Sequence, residues 1–224
     1  SWIERTGHTL LERYGMSETV MLTSNPCRAK DGARRRGTVG PALPGVGVRV
    51  RDDADAACPA GEIGHIQVKG PNVFAGYWRM PEKTAEEFTA DELGQKWFKT
   101  GDVGKVEADG YVTIVGRSKD LIISGGYNIY PAEIEGFIND MPGVAESAVV
   151  GVPHPDFGEG VVAVVVAHPG ATLDAPAMIA QLKKSIANFK VPKHLFVVAD
   201  LPRNAMGKVQ KNLLREQHKG LFAA

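Results

Sequence analysis

Residues Gly116 to Glu135 read GRSKDLIISGGYNIYPAEIE. The stretch opens on a polar joint, Gly116 to Lys119, and continues into the apolar triplet Leu121-Ile122-Ile123, which predicts a strand. Gly125-Gly126 interrupts the run as a loop. Pro131 stands where the first turn of a helix tolerates it, and Glu133 and Glu135 are favoured there by the helix dipole. Ile134, Phe137, Ile138 and Met141 fall at i, i+3, i+4 and i+7, one apolar helix face. The texture changes across this joint, so residues 1–116 and 117–224 are expected to be separate domains, the second an α+β unit of independent size.

Downstream, Val144 to Val152 and Val161 to Ala167 read as strands. The second is almost entirely β-branched, as in a strand buried on both faces. Asp174 caps a helix reaching Ile186, with Met178, Ile179, Leu182 and Ile186 inward. Leu195 to Val198 is another strand, Pro202 to Gly207 a loop, and Asn212 to Lys219 a last helix. Upstream, Trp2 to Arg13 carries a helical or mixed pattern, Tyr14-Gly15 reads as a turn, and Ser17-Glu18-Thr19 as a cap for the next element. Cys27 to Gly37 is a polar, basic loop. Val46, Val48 and Val50 alternate with Gly47, Arg49 and Arg51, and Ile63, Ile66 and Val68 come after a Pro59-Ala60-Gly61 turn. Pro81 to Phe88 reads as a short helix, and Asp109-Gly110 as a hairpin turn into Tyr111 to Val115. Short strands punctuated by Gly and Pro predict a small β-barrel or sandwich subdomain.

The 224 residues carry 26 Lys+Arg against 26 Asp+Glu, with 43% apolar and 23% charged residues. That composition fits a folded chain with a sizeable core, and it lacks the basic excess of a nucleic-acid binder. Cys27 and Cys58 form no CxxC, which argues against a disulfide framework or zinc knuckle. The longest apolar run, Val161 to Ala167, is too short to span a bilayer. A cytoplasmic protein is the expectation. The start at Ser1-Trp2-Ile3-Glu4, without Met and already helical in character, reads as a chain whose upstream part is missing.

Gly207-Lys208 resembles the end of a Walker loop, but Pro202 stands where the first glycine is needed and Val209 where Ser or Thr is needed. Four segments taken together carry a different resemblance: ERYGMSET (Glu12 to Thr19), KTGDVG (Lys99 to Gly104), GRSKDLIISGGYNIYPAEIE, and LPRNAMGKVQK (Leu201 to Lys211). In this order and spacing they resemble the later core motifs of the adenylate-forming superfamily of acyl-CoA synthetases, peptide-synthetase adenylation domains and beetle luciferases. The Ser/Thr/Gly-rich loop that precedes these motifs in the family has no counterpart here. The resemblance therefore implies a mixed α/β and α+β architecture: the tail of a large adenylation domain with its β-barrel, then a small, mobile α+β lid domain. It also implies a two-step reaction. A carboxylate attacks the α-phosphate of ATP, giving an acyl-adenylate and pyrophosphate, and a thiol then displaces AMP.

Residue by residue, the resemblance implies that Tyr14, with Gly15, meets adenine, that Ser17 contacts the α-phosphate, and that Glu18 holds Mg²⁺. Asp102 would bind the ribose hydroxyls, Arg117 the ribose or phosphate, and Gly125 and Gly126 the pantetheine of CoA. Lys119 would be the hinge, and Lys208 would bridge the carboxylate and α-phosphate in the first step. Each has an ordinary alternative: a core tyrosine, a helix-capping Ser-Glu pair, a turn aspartate, a surface ion pair, a glycine turn, a solvated lysine. Acetylation of Lys208 by a lysine acetyltransferase partner would remove its charge.

Within that family the motif ERYGMSET, with TSNP and GTVGPALPG after it, is most similar to malonyl-CoA synthetases. Arg13 replaces the glycine common in members acting on fatty or aromatic acids. With Met16 it would line the acyl pocket and hold the unreacting carboxylate of malonate or methylmalonate. The alternative for Arg13 is a surface ion pair. Arg36 is a second candidate, in an Arg34-Arg35-Arg36 run expected to be solvated. The substrates implied are ATP, CoA and a short dicarboxylate. Alternatives are a medium-chain or aryl acyl-CoA synthetase, a peptide-synthetase adenylation domain, and a non-catalytic nucleotide- or CoA-binding module. Phe222-Ala223-Ala224 is not a peroxisomal tripeptide.

Overall fold

A computed structural model describes residues 2–223; Ser1 and Ala224, which bear on the reading of the two ends, lie outside the described residues. Contacts divide the chain into two compact units, the first ending at Ser118 and the second starting at Lys119.

The first unit begins with α1 (Trp2–Thr6), much shorter than the pattern to Arg13 suggested. Gly7, at φ +70°, ends it by accepting a backbone geometry that side chains disfavour. β1 (Arg13–Tyr14) pairs antiparallel with β2 (Thr23–Ser24), so Tyr14 lies in a strand, not in a turn. Ser17-Glu18-Thr19 caps no helix. It sits in the turn between these strands, where the Thr19 N–H donates to the Met16 carbonyl at 3.1 Å.

Next come β3 (Gly47–Arg51), β4 (Gly64–Lys69), α2 (Pro81–Glu87), β5 (Phe88–Ala90), the eleven-residue β6 (Lys96–Val106) and β7 (Val112–Arg117). β4 pairs with β3 and β6, while β5 and β7 pair with successive parts of β6. The expected barrel is not closed: among the described residues β3 has no ladder partner beyond β4. Leu22, Ile66, Val68, Phe98 and Val112 form the core. Phe74 extends it, with ring centroids 4.8 Å from Tyr77 and 5.2 Å from Phe98.

In the second unit β8 (Ile122–Ser124) and β9 (Tyr127–Ile129) form a hairpin around Gly125-Gly126. The pair read as a plain loop is thus a two-residue turn with φ +58° and +81°, the positive pair that such a turn requires. The remaining elements are α3 (Pro131–Asn139), β10 (Val144–His154), β11 (Gly158–Ala167), α4 (Ala175–Ser185), β12 (His194–Val198) and α5 (Lys211–His218). β10 lies antiparallel and β12 parallel to β11. β11 is buried on both faces. Val161, Ala163 and Val165 join Ile134 and Ile138 of α3 and Met178 and Leu182 of α4, while Val162 and Val164 join Leu214 of α5 and Leu201 of the loop that follows β12. Helices on both faces explain the unbroken apolar run from Val161 to Ala167. The apolar stripe of α3 is narrower than its spacing implied, because Phe137 is exposed. Asp174 caps α4, accepting from the Ala177 N–H at 3.1 Å. No helix among the described residues is long and apolar enough to cross a membrane.

Candidate functional site

In the first unit the chemistry gathers around the turn that joins β1 to β2. Gly15 is fixed by space: a Cβ there would lie 2.0 Å from the Val20 carbonyl oxygen. Val20 itself takes φ +57°, unusual for a β-branched residue. The Asn72 amide holds the far side of the turn, donating to the Thr19 and Met21 carbonyls at 2.7 and 2.9 Å. Thr19 Oγ1 is buried and has no hydrogen-bond partner among the described residues.

Tyr14 packs against the core and its hydroxyl donates to Asp102 Oδ2 at 2.5 Å. Burial, and then the adjacent carboxylate, push its pKa well above the usual phenol range. Asp102, only 4% exposed, also meets Arg117 Nε through Oδ1 at 3.3 Å. The β6–β7 ladder pairs Asp102 directly with Arg117, which explains that contact. Tyr14, Asp102 and Arg117 are therefore brought together. Each carboxylate oxygen keeps a second lone-pair direction for a hydroxyl, though the side chain has little open surface.

Glu18 accepts from the Tyr77 hydroxyl at 3.1 Å through Oε1. Its Oε2 has no partner among the described residues, so the carboxylate keeps an oxygen that could ligate a hard cation such as Mg²⁺. Burial and the Glu18 contact push the Tyr77 phenol up to about 12. Tyr77 was missed in the sequence, and its signal was the aromatic spacing of Phe74, Tyr77 and Phe88 around the core. Ser17 is exposed, and Met16 packs against the core. Arg13 is exposed on β1 and makes no ion pair among the described residues, so the expected alternative of a surface salt bridge is not what is seen.

Arg34 departs from the solvated reading of its run: its guanidinium donates to the Thr9, Pro26 and Cys27 carbonyls. Arg35 pairs with Asp109 and lies 3.8 Å above the Tyr111 ring. Arg36 is exposed beside a small cavity of about 200 Å³ with Glu12 and His8.

In the second unit, Lys208 projects from a loop organised by Asn204. Asn204 Oδ1 accepts from the Met206 and Lys208 N–H groups, each at 3.0 Å, and the Asn204 N–H donates to the Lys208 carbonyl at 3.0 Å. Arg203 ties the loop to its base, donating to the Gly207 carbonyl at 2.7 Å and pairing with Glu146. Gly207 takes φ +76°. The Lys208 side chain is exposed and makes no ion pair among the described residues. Sequence reasoning missed Asn204, although an Asn shortly ahead of a loop glycine is a side-chain turn signal. At Gly125 and Gly126 an added Cβ meets only Phe157, at 3.5 Å, or nothing. Their glycine requirement is therefore one of backbone angle and not of crowding from the protein itself. Lys119 is exposed in a short 3-10 turn, Ser118–Asp120.

Comparison with known proteins matches residues 1–78 to the AMP-binding enzyme family and residues 133–208 to the AMP-binding enzyme C-terminal domain. The malonate–CoA ligase of Arabidopsis thaliana is 42% identical over 96% of this chain, and the indoleacetate–CoA ligase of Aromatoleum aromaticum is 40% identical over 96%. The crystal structure of ATP-bound MatB from Rhodopseudomonas palustris is 58% identical over 99% of the chain, with a TM-score of 0.90. The chain spans only 36% and 41% of the two ligases and 43% of the crystallised MatB chain. Both family matches fall in the expected order on the two halves of the chain: it belongs to the AMP-binding, adenylate-forming enzyme superfamily.

Proposed function

We propose that the protein containing this chain is an ATP-dependent acid–thiol ligase that converts malonate, ATP and CoA to malonyl-CoA, AMP and pyrophosphate. In the first step a malonate oxygen attacks the α-phosphorus and pyrophosphate leaves. In the second, the CoA sulfur attacks the acyl carbonyl and AMP leaves. Lys208 Nζ meets the growing negative charge around phosphorus; it is exposed and makes no ion pair among the described residues, which leaves it available for that contact. Asp102 accepts from the ribose, with Tyr14 and Arg117 fixing its two oxygens. Glu18 holds Mg²⁺, which neutralises phosphate charge.

Identity alone does not choose the acid, because relatives of similar identity bear the names of malonate, indoleacetate and sulfoacetate ligases. The observation that carries the dicarboxylate is Arg13: an exposed guanidinium, beside Tyr14 in β1, without a carboxylate partner among the described residues. An exposed guanidinium is available to an anion, and its planar fork suits a carboxylate. The two-step reading is tested with Lys208→Ala in the full-length protein. Adenylate formation should fall about 10²–10³-fold, the weight of one preorganised charge contact, while thioester formation from supplied malonyl-adenylate persists. Equal damage to both steps would remove Lys208 from this role.

A further inference from the structure

The boundary between the two units falls between Ser118 and Lys119, and a separate side-chain tie holds the backbone on each side of it. Within the first unit, Ser118 Oγ lies 3.1 Å from His65 Nδ1, and His65 Nε2 lies 2.7 Å from Asp53 Oδ1. A carboxylate only accepts, so Nε2 carries a proton. Nδ1 then accepts the Ser118 hydroxyl when the ring is neutral and donates to it when the ring is charged. The tie therefore exists in both states. β4 fixes His65, whose Cα partners are Arg51 and Val103. One residue before Ser118, Arg117 is held by Asp102 at 3.3 Å.

Within the second unit, Arg215 of α5 donates to the Lys119 carbonyl at 3.4 Å and to Asp120 Oδ1 at 2.9 Å. Its neighbour Leu214 anchors α5, being 2% exposed in the core. Between the Ser118 hydroxyl and the Lys119 carbonyl, no side-chain contact among the described residues restrains the backbone, and the Lys119 side chain is exposed. We propose that His65 (backed by Asp53) and Arg215 (backed by Asp120) are positioning residues that confine the rotation between half-reactions to Lys119. The proposal rests on the two-step ligase reading with Lys119 as its hinge. The ties themselves do not depend on that reading.

Amide hydrogen exchange over residues 116–121 of the full-length protein reads the ties without any ligase activity. Ser118→Ala and Arg215→Met should each speed exchange there about two- to tenfold, the weight of one hydrogen bond. Ser118→Thr, which keeps the hydroxyl, should match the parent protein. Activity reads the confinement. Lys119→Pro fixes φ and should block one half-reaction. Adding His65→Ala should restore part of the blocked step, because rotation can pass to Ser118. Unchanged exchange, equal acceleration by Ser118→Thr, or a Lys119→Pro block that His65→Ala leaves intact would overturn the proposal. If exchange responds as stated but Lys119→Pro blocks neither step, the ties stand and the hinge reading fails.

Discussion

Replacing Asn204 by Ala removes one side-chain oxygen and with it two hydrogen bonds, to the Met206 and Lys208 N–H groups, each 3.0 Å long. The Arg203–Gly207 contact and the Asn204–Lys208 backbone bond remain, so the loop loosens without unfolding. A single such bond contributes about 0.5–1.5 kcal/mol net, and in an exposed loop the lower half of that range applies. The pair is then worth about 1–2 kcal/mol. At roughly 1.4 kcal/mol per decade, the equilibrium constant for the loop that presents Lys208 correctly falls about 5- to 30-fold. If Lys208 acts in adenylation alone, single-turnover pyrophosphate release by the full-length protein should fall by up to that factor. Thioester formation from supplied malonyl-adenylate should not move. Asn204→Asp retains the acceptor and should recover most of the loss. An equal fall in both steps, or Asn204→Asp as poor as Asn204→Ala, would refute the reasoning.

Arg13→Gly should lower the specificity for malonate over butyrate at least tenfold in the full-length protein, measured as a ratio of kcat/KM values; an unchanged ratio removes Arg13 from recognition. Leu182→Ala should destabilise the second unit by about 2–5 kcal/mol, read by denaturant unfolding, because the side chain is fully buried between α4 and the sheet. Tyr77 gives a pH dependence. Its phenol is pushed up to about 12 from 10.0, so folded protein binds that proton more tightly than unfolded chain. The contribution is therefore fully present below pH 10 and is lost as pH rises toward 12. Tyr77→Phe should flatten that alkaline decline in stability, and an unaltered slope would contradict the assignment.

Much of the second unit was legible because its signals are local. The valine run, the Asp174 cap, and Pro131 at the head of α3 each fix an element without help from distant residues. The first unit was harder to read. Residues 2–13 carry a helical or mixed pattern, but only Trp2–Thr6 form a helix, and among the described residues its apolar Trp2 and Ile3 are exposed. Tyr14 reads as turn-forming beside Gly15, yet a pairing with Thr23 across nine residues makes it a strand. Barrel closure depends on which strands share an edge: the Asp109-Gly110 turn announces the β6–β7 hairpin, but the pairing of β5 with the other end of β6 is invisible to periodicity. At the candidate site, the motifs located Tyr14, Asp102 and Arg117, but the contact geometry joining them comes from the β6–β7 register. The sequence marks Asn204 as a turn residue and Tyr77 as one of a set of aromatics, but the partners to which they and His65 hydrogen-bond are not encoded in residue spacing.

ATP–pyrophosphate exchange by the full-length protein, offered malonate, acetate, butyrate or octanoate in turn, tests the central claim most directly. Exchange should be fastest with malonate and should depend on Lys208. Faster exchange with octanoate or acetate would contradict the dicarboxylate assignment, and no exchange with any acid would contradict the ligase itself.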